Sequence, residues 1–388
     1  MKPQNLAISL LTVSTHFLHA EISTPSFIAD GMILQQQSEA KIWGSATPNE
    51  ELTATLGEAH CTTIVNQDGS WSLTFADLKA NSSPQTLTLT TKKDRKTIRD
   101  VLIGEVWLAS GQSNMEWVIP KTDSAAEVQT ANDPLLRVFV SKNIAINTPQ
   151  KDFSGEWKST QPGNTEYFTA VGYHFAKNLR KELKVPVGII ETAWGGKPVE
   201  AFISDQAIQN IPAANKLRKT KATLLKQNDS GKFVSKKKSP PPTKNPALHS
   251  NIYNGHIAPL VGYGIRGAIW YQGESNAKPE TSSIYADLQA GLIQDWRNQW
   301  GYDFPFYFVQ LANFAKWRSK ADWVIVQDQQ RQTLDRVEHT GMAVTHDIGD
   351  AKDIHPRNKS DVGERLSRWA LHHDYGQAHF ITSGPLFS

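Results

Sequence analysis

Two patterns of apolar and polar positions divide the chain. Across residues 21–100, short segments alternate apolar with polar side chains: KIWGSA, ELTATLGEA, CTTIVN, WSLTFADL and QTLTLTTKK. Turn-forming pairs separate them, among them Pro48-Asn49, Asp68-Gly69 and Ser83-Pro84. A period of two describes a strand buried on one face, so the spacing predicts a small all-β sandwich here. Asp68-Gly69, between CTTIVN and SWSLTF, predicts a hairpin. The region gathers no His, Asp and Ser of the kind catalysis uses, and reads as an accessory module.

From residue 101 the pattern changes. Runs that are apolar along their whole length appear: VLIGEVWLA, LLRVFVS, VPVGIIETAW, GIRGAIWYQ, FPFYFVQLA and GMAVTHDI. Such runs suit strands of a parallel sheet covered on both faces. Between them lie helix-like segments, including Ala170–Leu183 and Tyr285–Trp300. Alternation of the two kinds predicts a doubly wound α/β domain over 101–388. Within it, residues 215–246 break the pattern. They are Lys-rich, contain Ser239-Pro240-Pro241-Pro242 and lack apolar periodicity, which predicts an exposed, irregular excursion.

Four of the strand-like runs end on chemically loaded tips. VWLAS leads to GQSN, IIETAW to Gly195-Gly196, AIWYQ to GESN, and AVTH to DIGDAKDIHP. In open α/β sheets ligands bind beyond the carboxyl ends of the strands, so these tips are expected to converge. Alone, GQSN reads as a turn that caps the following helix; convergence makes Ser113 a candidate nucleophile. A serine nucleophile needs a base, and the base needs an orienting acceptor. His355, past a strand end and followed by Pro356, is the candidate base. Asp353, on the same side of an extended segment, is its candidate partner. Donors for an oxyanion are the main-chain N–H groups of Ser113 and Gly196 and the side-chain amides of Gln272 and Asn276. Asn114 and Glu274 are supporting candidates, Glu274 either orienting its neighbours or acting as a general base.

At 388 residues the chain exceeds the roughly 250–300 residues that one core usually serves, in keeping with two domains. The formal charge of +3 is a local effect. Ten Lys/Arg and one acid lie between Lys216 and Lys244, leaving 31 basic and 37 acidic residues elsewhere, so no nucleic-acid partner is expected. The 12 Trp offer aromatic faces that line sugar sites and also fill cores. A single cysteine, Cys61, excludes an internal disulfide framework, and no paired-His ligand spacing occurs near the tips; no metal is expected. Residues 1–20 read as a secretory signal peptide, with Lys2 ahead of LAISLLTVSTHFLHA, a run too short to span a membrane. The expectation is a secreted or periplasmic protein without a membrane anchor.

These motifs carry a resemblance. GEVWLASGQSNMEW (104–117), VPVGIIETAWGG (185–196), YNGHIAPL (253–260), IRGAIWYQGESNA (265–277) and DIHPRNKSDVGERLSRWAL (353–371) stand out, with GMILQQQSEAKIWGSA (31–46) nearer the start. The chain resembles the sialate O-acetylesterase family of carbohydrate esterases, within the SGNH/GDSL hydrolase superfamily. That resemblance implies an SGNH-type, flavodoxin-like, three-layer hydrolase domain. It also implies a cofactor-free Ser–His esterase that removes acetyl groups from sugar hydroxyls through an acyl-enzyme. Ser113 would be nucleophile and oxyanion donor, Gly196 and Gln272 further donors, Asn276 a weaker one, and His355 the base with Asp353 behind it. The substrates implied are acetylated sialic acid or an acetylated polysaccharide such as acetylxylan. The alternative is a carbohydrate-binding surface protein with a vestigial site.

Three positions depart from the family pattern. Lys352 stands where generic SGNH enzymes carry the acid, three residues before the His, which leaves either Asp353 or a dyad. Lys197 follows the glycine pair where Thr is more frequent. The chain ends at SGPLFS where relatives usually continue through β-rich sequence, so a truncated carboxyl end is expected.

Overall fold

A computed structural model describes residues 20–235, 239–317 and 319–384. The signal-like stretch, apart from Ala20, lies outside the described residues, as do the last four.

The first part of the chain is all-β. Its strands are β1 (Ile33–Gln35), β2 (Ala40–Ser45), β3 (Glu51–Leu56), β4 (Ala59–Ile64), β5 (Ser70–Phe75) and β6 (Asn81–Thr90). Alternation places Leu52, Ala54 and Leu56 of β3 and Trp71, Leu73 and Phe75 of β5 in the core. The Asp68-Gly69 turn forms, with Gly69 N–H donating to Asn66 O at 2.9 Å. The predicted hairpin does not: β4 pairs with β3, and β5 pairs with β2. The chain changes sheet at this turn.

Strand β7 (Arg95–Gly111) runs through 17 residues and belongs to both parts. Its first half pairs antiparallel with β6 and parallel with β1, Leu102 opposite Ile33. Its second half lies inside a larger sheet with β8 (Asp133–Ser141), β9 (Gly155–Thr160), β10 (Val187–Glu191), β11 (Gly267–Tyr271), β12 (Phe306–Val309) and β13 (Thr340–Ala343). The order is β13-β12-β11-β7-β10-β8-β9, all parallel except the edge strand β9.

Among the described residues, seven α-helices complete the fold: α1 (Ser113–Glu116), α2 (Ala170–Leu183), α3 (Asp205–Gln209), α4 (Asn215–Asp229), α5 (Tyr285–Trp300), α6 (Lys320–Leu334) and α7 (Ser360–His373). Trp107 of β7 meets Phe175 of α2, ring centroids 4.9 Å apart. Trp270 is in register with Ser110 and so faces the other way, onto Trp296 of α5 at 6.0 Å. Helix α7 packs beside α2, and α6 beside α5. Helices therefore cover both faces, which is why β11 and the stretch 101–111 of β7 are buried at every position. The result is an α/β domain with a large mixed sheet and flanking helices. Trp107, Trp270 and Trp296 are wholly buried, so these tryptophans build the core and line no sugar site.

One expectation fails in the Lys-rich stretch. Residues 215–229 form helix α4, because Lys, Leu, Ala and Gln favour a helix even without an apolar stripe. Lys221 on this helix is buried, donating to His249 O at 2.8 Å and Asp205 Oδ1 at 3.1 Å. Among the described residues no helix is long and apolar enough to cross a membrane.

Candidate active site

The chain reverses its direction across the sheet at β7. Strands β10 and β8 lie to one side of it, β11, β12 and β13 to the other. All run parallel, so the crevice at their carboxyl ends opens at the tip of β7. Gly111 ends β7 with φ +135°, and a Cβ there would stand 2.2 Å from Tyr271 O. Only glycine lets β7 and β11 meet so closely. Gln112 N–H then donates to Tyr271 O at 2.9 Å, and Trp194 N–H to Gly111 O at 3.0 Å. Main-chain bonds thus tie together the tips of β10, β7 and β11.

Ser113 opens α1. The Gln112 carbonyl accepts from Met115 and Glu116 N–H at 2.8 and 3.0 Å, whereas among the described residues no acceptor meets the Ser113 N–H. With four residues, α1 is too short to sum an appreciable dipole, so the turn offers donors and little more. His355 Nε2 lies 2.9 Å from Ser113 Oγ. The imidazole stacks on Trp117, ring centroids 4.5 Å apart and planes 19° from parallel. The motif GQSNMEW therefore supplies both Ser113 and the ring on which His355 stacks, a place for Trp117 that the sequence reading missed.

A second Ser–His pair shows what makes the first one different. Ser141 Oγ lies 2.9 Å from His256 Nε2, but its hydroxyl donates to Glu191 O at 2.8 Å. That proton is already committed. Burial holds His256 down at about 3, a neutral core histidine.

Asp353 lies beside His355 without bonding its ring. Asp353 Oδ1 accepts the main-chain N–H of His355 at 2.9 Å and stands 3.8 Å from Nδ1, beyond hydrogen-bond range. The carboxylate caps its own loop. Asp353→Asn keeps that cap, so kcat is expected to fall less than about tenfold, against roughly 10⁴ where an Asp bonds the imidazole directly. Steady-state acetate release by the variant measures this; a loss near ten-thousand-fold would place Asp353 on Nδ1 during turnover.

The glycine pair stands against the serine turn. Gly195 N–H donates to Glu116 Oε2 at 2.7 Å, and a Cβ at 195 would lie 2.6 Å from that oxygen and 3.4 Å from Ser113 Cβ. Gly196, exposed at φ +70°, has an N–H with no acceptor among the described residues. Gln272 is fully buried, and its amide donates to Asn276 Oδ1 at 2.7 Å. The same Nε2 also lies 3.2 Å from Gln112 Oε1 and 3.2 Å from Lys197 O.

Asn276 departs from its expected role as a donor to the oxyanion. Its Nδ2 donates to Glu200 Oε2 at 2.8 Å, and its Oδ1 accepts from Val199 N–H at 3.0 Å as well as from Gln272. Glu200, a buried carboxylate at the far side, takes up the amide that the sequence offered; Asn276 positions Gln272.

Glu274 orients a neighbour. Its Oε1 accepts from Asn114 Nδ2 at 2.5 Å, and the same Nδ2 donates to Ile354 O at 3.0 Å. Asn114 Oδ1 in turn accepts from Lys359 Nζ at 2.5 Å. Burial raises the Glu274 carboxyl above its ordinary range. Lys359 went unnoticed in the sequence, where a lysine in HPRNKSD reads as a solvated charge; only its depth in the fold singles it out.

A family model described as carbohydrate esterase, sialic acid-specific acetylesterase, matches residues 247–372. Rat sialate O-acetylesterase is 29% identical over 410 residues, covering 93% of this chain and 75% of the rat protein. The human sialate O-acetylesterase is 29% identical over 400 residues, covering 93% and 72%. The crystal structure of a carbohydrate acetylesterase from Xanthomonas citri is similar at a TM-score of 0.82 and 34% identity, covering 95% of this chain and 78% of that one. With motifs, fold and relatives in agreement, the chain belongs to the sialate O-acetylesterase family of carbohydrate esterases.

Proposed function

We propose that the protein is an O-acetylesterase acting on sugar hydroxyls, with Ser113 as nucleophile and His355 as base. The observation that carries this is the 2.9 Å contact between Ser113 Oγ and His355 Nε2, beside two main-chain N–H groups that no acceptor meets among the described residues. His355 takes the hydroxyl proton as Oγ attacks the acetyl carbonyl carbon. The oxyanion is received by the N–H groups of Ser113 and Gly196, with the Gln272 amide as the further donor we propose. His355 then gives its proton to the departing sugar oxygen, leaving acetyl-Ser113. Water, deprotonated by the same imidazole, releases acetate. The switch in strand order at β7 supports an SGNH-type hydrolase core.

Acetylated sialic acid is the substrate class we favour, on the family description; acetylated polysaccharide is the competing class. Acetate release measured across acetylated sialic acids and acetylxylan ranks them. A chain that binds these sugars, releases no acetate and resists serine-reactive probes would be a binding protein instead.

The pH profile follows from the imidazole. Burial and the charge of Lys359 hold His355 below its usual value, Lys121 adding to the effect and Asp353 opposing it. A lowered value keeps the proton-accepting form present further into acid, so kcat/KM is expected to fall only below about pH 6.5. An acid limb centred above pH 7 would assign the base to another group.

A further inference from the structure

Lysine is seldom buried without a partner, yet Lys359 is 0% exposed at the head of α7. Its ammonium lies 5.8 Å from the centre of the Trp117 ring, which carries His355 on it, and 5.3 Å from that of Tyr271. Its hydrogen bond goes to Asn114 Oδ1. Asn114 follows the nucleophile in the chain, and Ile354, whose carbonyl takes the Asn114 amide, precedes the base. One side-chain amide thus joins the serine turn, the histidine loop and, through Glu274, the tip of β11.

An amide of this kind satisfies a site in either of two orientations, related by exchange of O and N. A cation on one side and a carboxylate and a carbonyl on the other leave only one. While protonated, Lys359 donates and cannot accept, so Oδ1 faces it and Nδ2 faces Glu274 and Ile354.

Charge adds a second effect. His355 is faced by Lys359 from the head of α7, by Asp353 from its own loop and by Lys121 from the turn after α1; Lys359 is itself faced by Glu274 and Asp353. A buried cation near an imidazole disfavours the imidazolium. Burial brings Lys359 down to about 7, so it carries its charge through the mildly acidic range in which His355 titrates.

We infer that Lys359 is a positioning residue for this reaction: it fixes the Asn114 amide that ties the Ser113 turn to the His355 loop, and it places a buried charge beside the Trp117 ring on which His355 stacks. The inference rests on the reading of Ser113 and His355 given above.

The test compares Lys359→Met and Asn114→Ala with the parent enzyme in kcat, KM and pH profile on a chromogenic acetyl ester, each checked for folding by circular dichroism. Lys359→Met is expected to lower kcat about tenfold or more at a KM within about twofold, and to move the acid limb upward by about half a pH unit or more. Asn114→Ala leaves both charges in place, so kcat falls while the acid limb stays. A folded Lys359→Met with parental kcat and acid limb overturns the inference. Should that variant not fold, parental kcat in Asn114→Ala overturns it. Ser113→Ala, run in parallel, separates the two readings: full activity there dismisses both, whereas its inactivity beside a parental Lys359→Met dismisses Lys359 alone.

Discussion

Ser113→Ala is expected to cut acetate release on the order of ten-thousand-fold or more, with KM nearly unchanged. The substitution removes the attacking oxygen and the proton that His355 is placed to take. It leaves the main-chain donors of Ser113 and Gly196 intact, so the substrate still binds and a small residual rate over water persists. The serine side chain makes one hydrogen bond, to His355, and is only half-buried. Its loss is expected to change unfolding free energy by less than about 0.5 kcal/mol. Acetate release and a thermal melt on the same preparation check both halves. An active Ser113→Ala would remove Ser113 from the mechanism; an unfolded one would give it a structural role that its contacts do not show.

Arg266→Met is expected to carry the largest effect on stability, about 3–5 kcal/mol. Its partner Glu105 has no exposed side-chain surface and sits midway along β7. The carboxylate accepts from Arg266 Nε at 2.8 Å, Gln36 Nε2 at 2.6 Å, Gln35 Nε2 at 3.1 Å and Tyr375 O–H at 2.9 Å. These partners come from β1 and the residue after it, from the approach to β11 and from the segment after α7. Burial alone would raise the Glu105 carboxyl; Arg266 and the two glutamines outweigh it, and the net shift is downward. A lowered carboxyl contributes stability above its unfolded value of about 4.3 and loses it as pH falls through the lower folded value. Without Arg266 the buried charge is left to the glutamines and the tyrosine. The penalty in urea unfolding should therefore be large at pH 7 and shrink towards pH 4, where protonation relieves the uncompensated charge. Equal loss at both pH values would mean that Arg266 acts through packing. A Glu105→Gln, Arg266→Met pair, with both charges gone, should recover part of the loss.

The gathering of the candidate site's strand tips was legible in the chain because its logic is local. The bounds Ala170–Leu183 and Tyr285–Trp300 match α2 and α5 to the residue. The tips GQSN, Gly195-Gly196, GESN and the loop of His355 gather on one side of the sheet because parallel strands put every carboxyl end there. What stayed hidden depends on partners distant in sequence. Helix α6 buries Gln327, Gln330 and Thr333 alongside Trp323 and Val326, so its inner face carries no apolar stripe to read. Gln330 instead serves the main chain at the strand ends, accepting from Leu311 N–H at 2.8 Å and donating to Gln272 O at 2.9 Å. Asn276 failed as a donor for the same reason: Glu200, 76 residues away, decides what its amide does. Alternation in CTTIVN and SWSLTF marks two strands correctly, but it says nothing about which sheet each joins.

Strand β7 also constrains how the gene for this fold can vary. Side chains on a strand switch faces with each added residue, so register is a binary property. One residue inserted after Glu105 would turn Trp107 away from α2 and present it to the layer of α5, and would carry Ser113 off the glycine pair. Loops that do not touch the serine turn are free of this constraint. The connection between the all-β part and the nucleophile has no such slack: codons 95–113 form a ruler whose length is read at both ends.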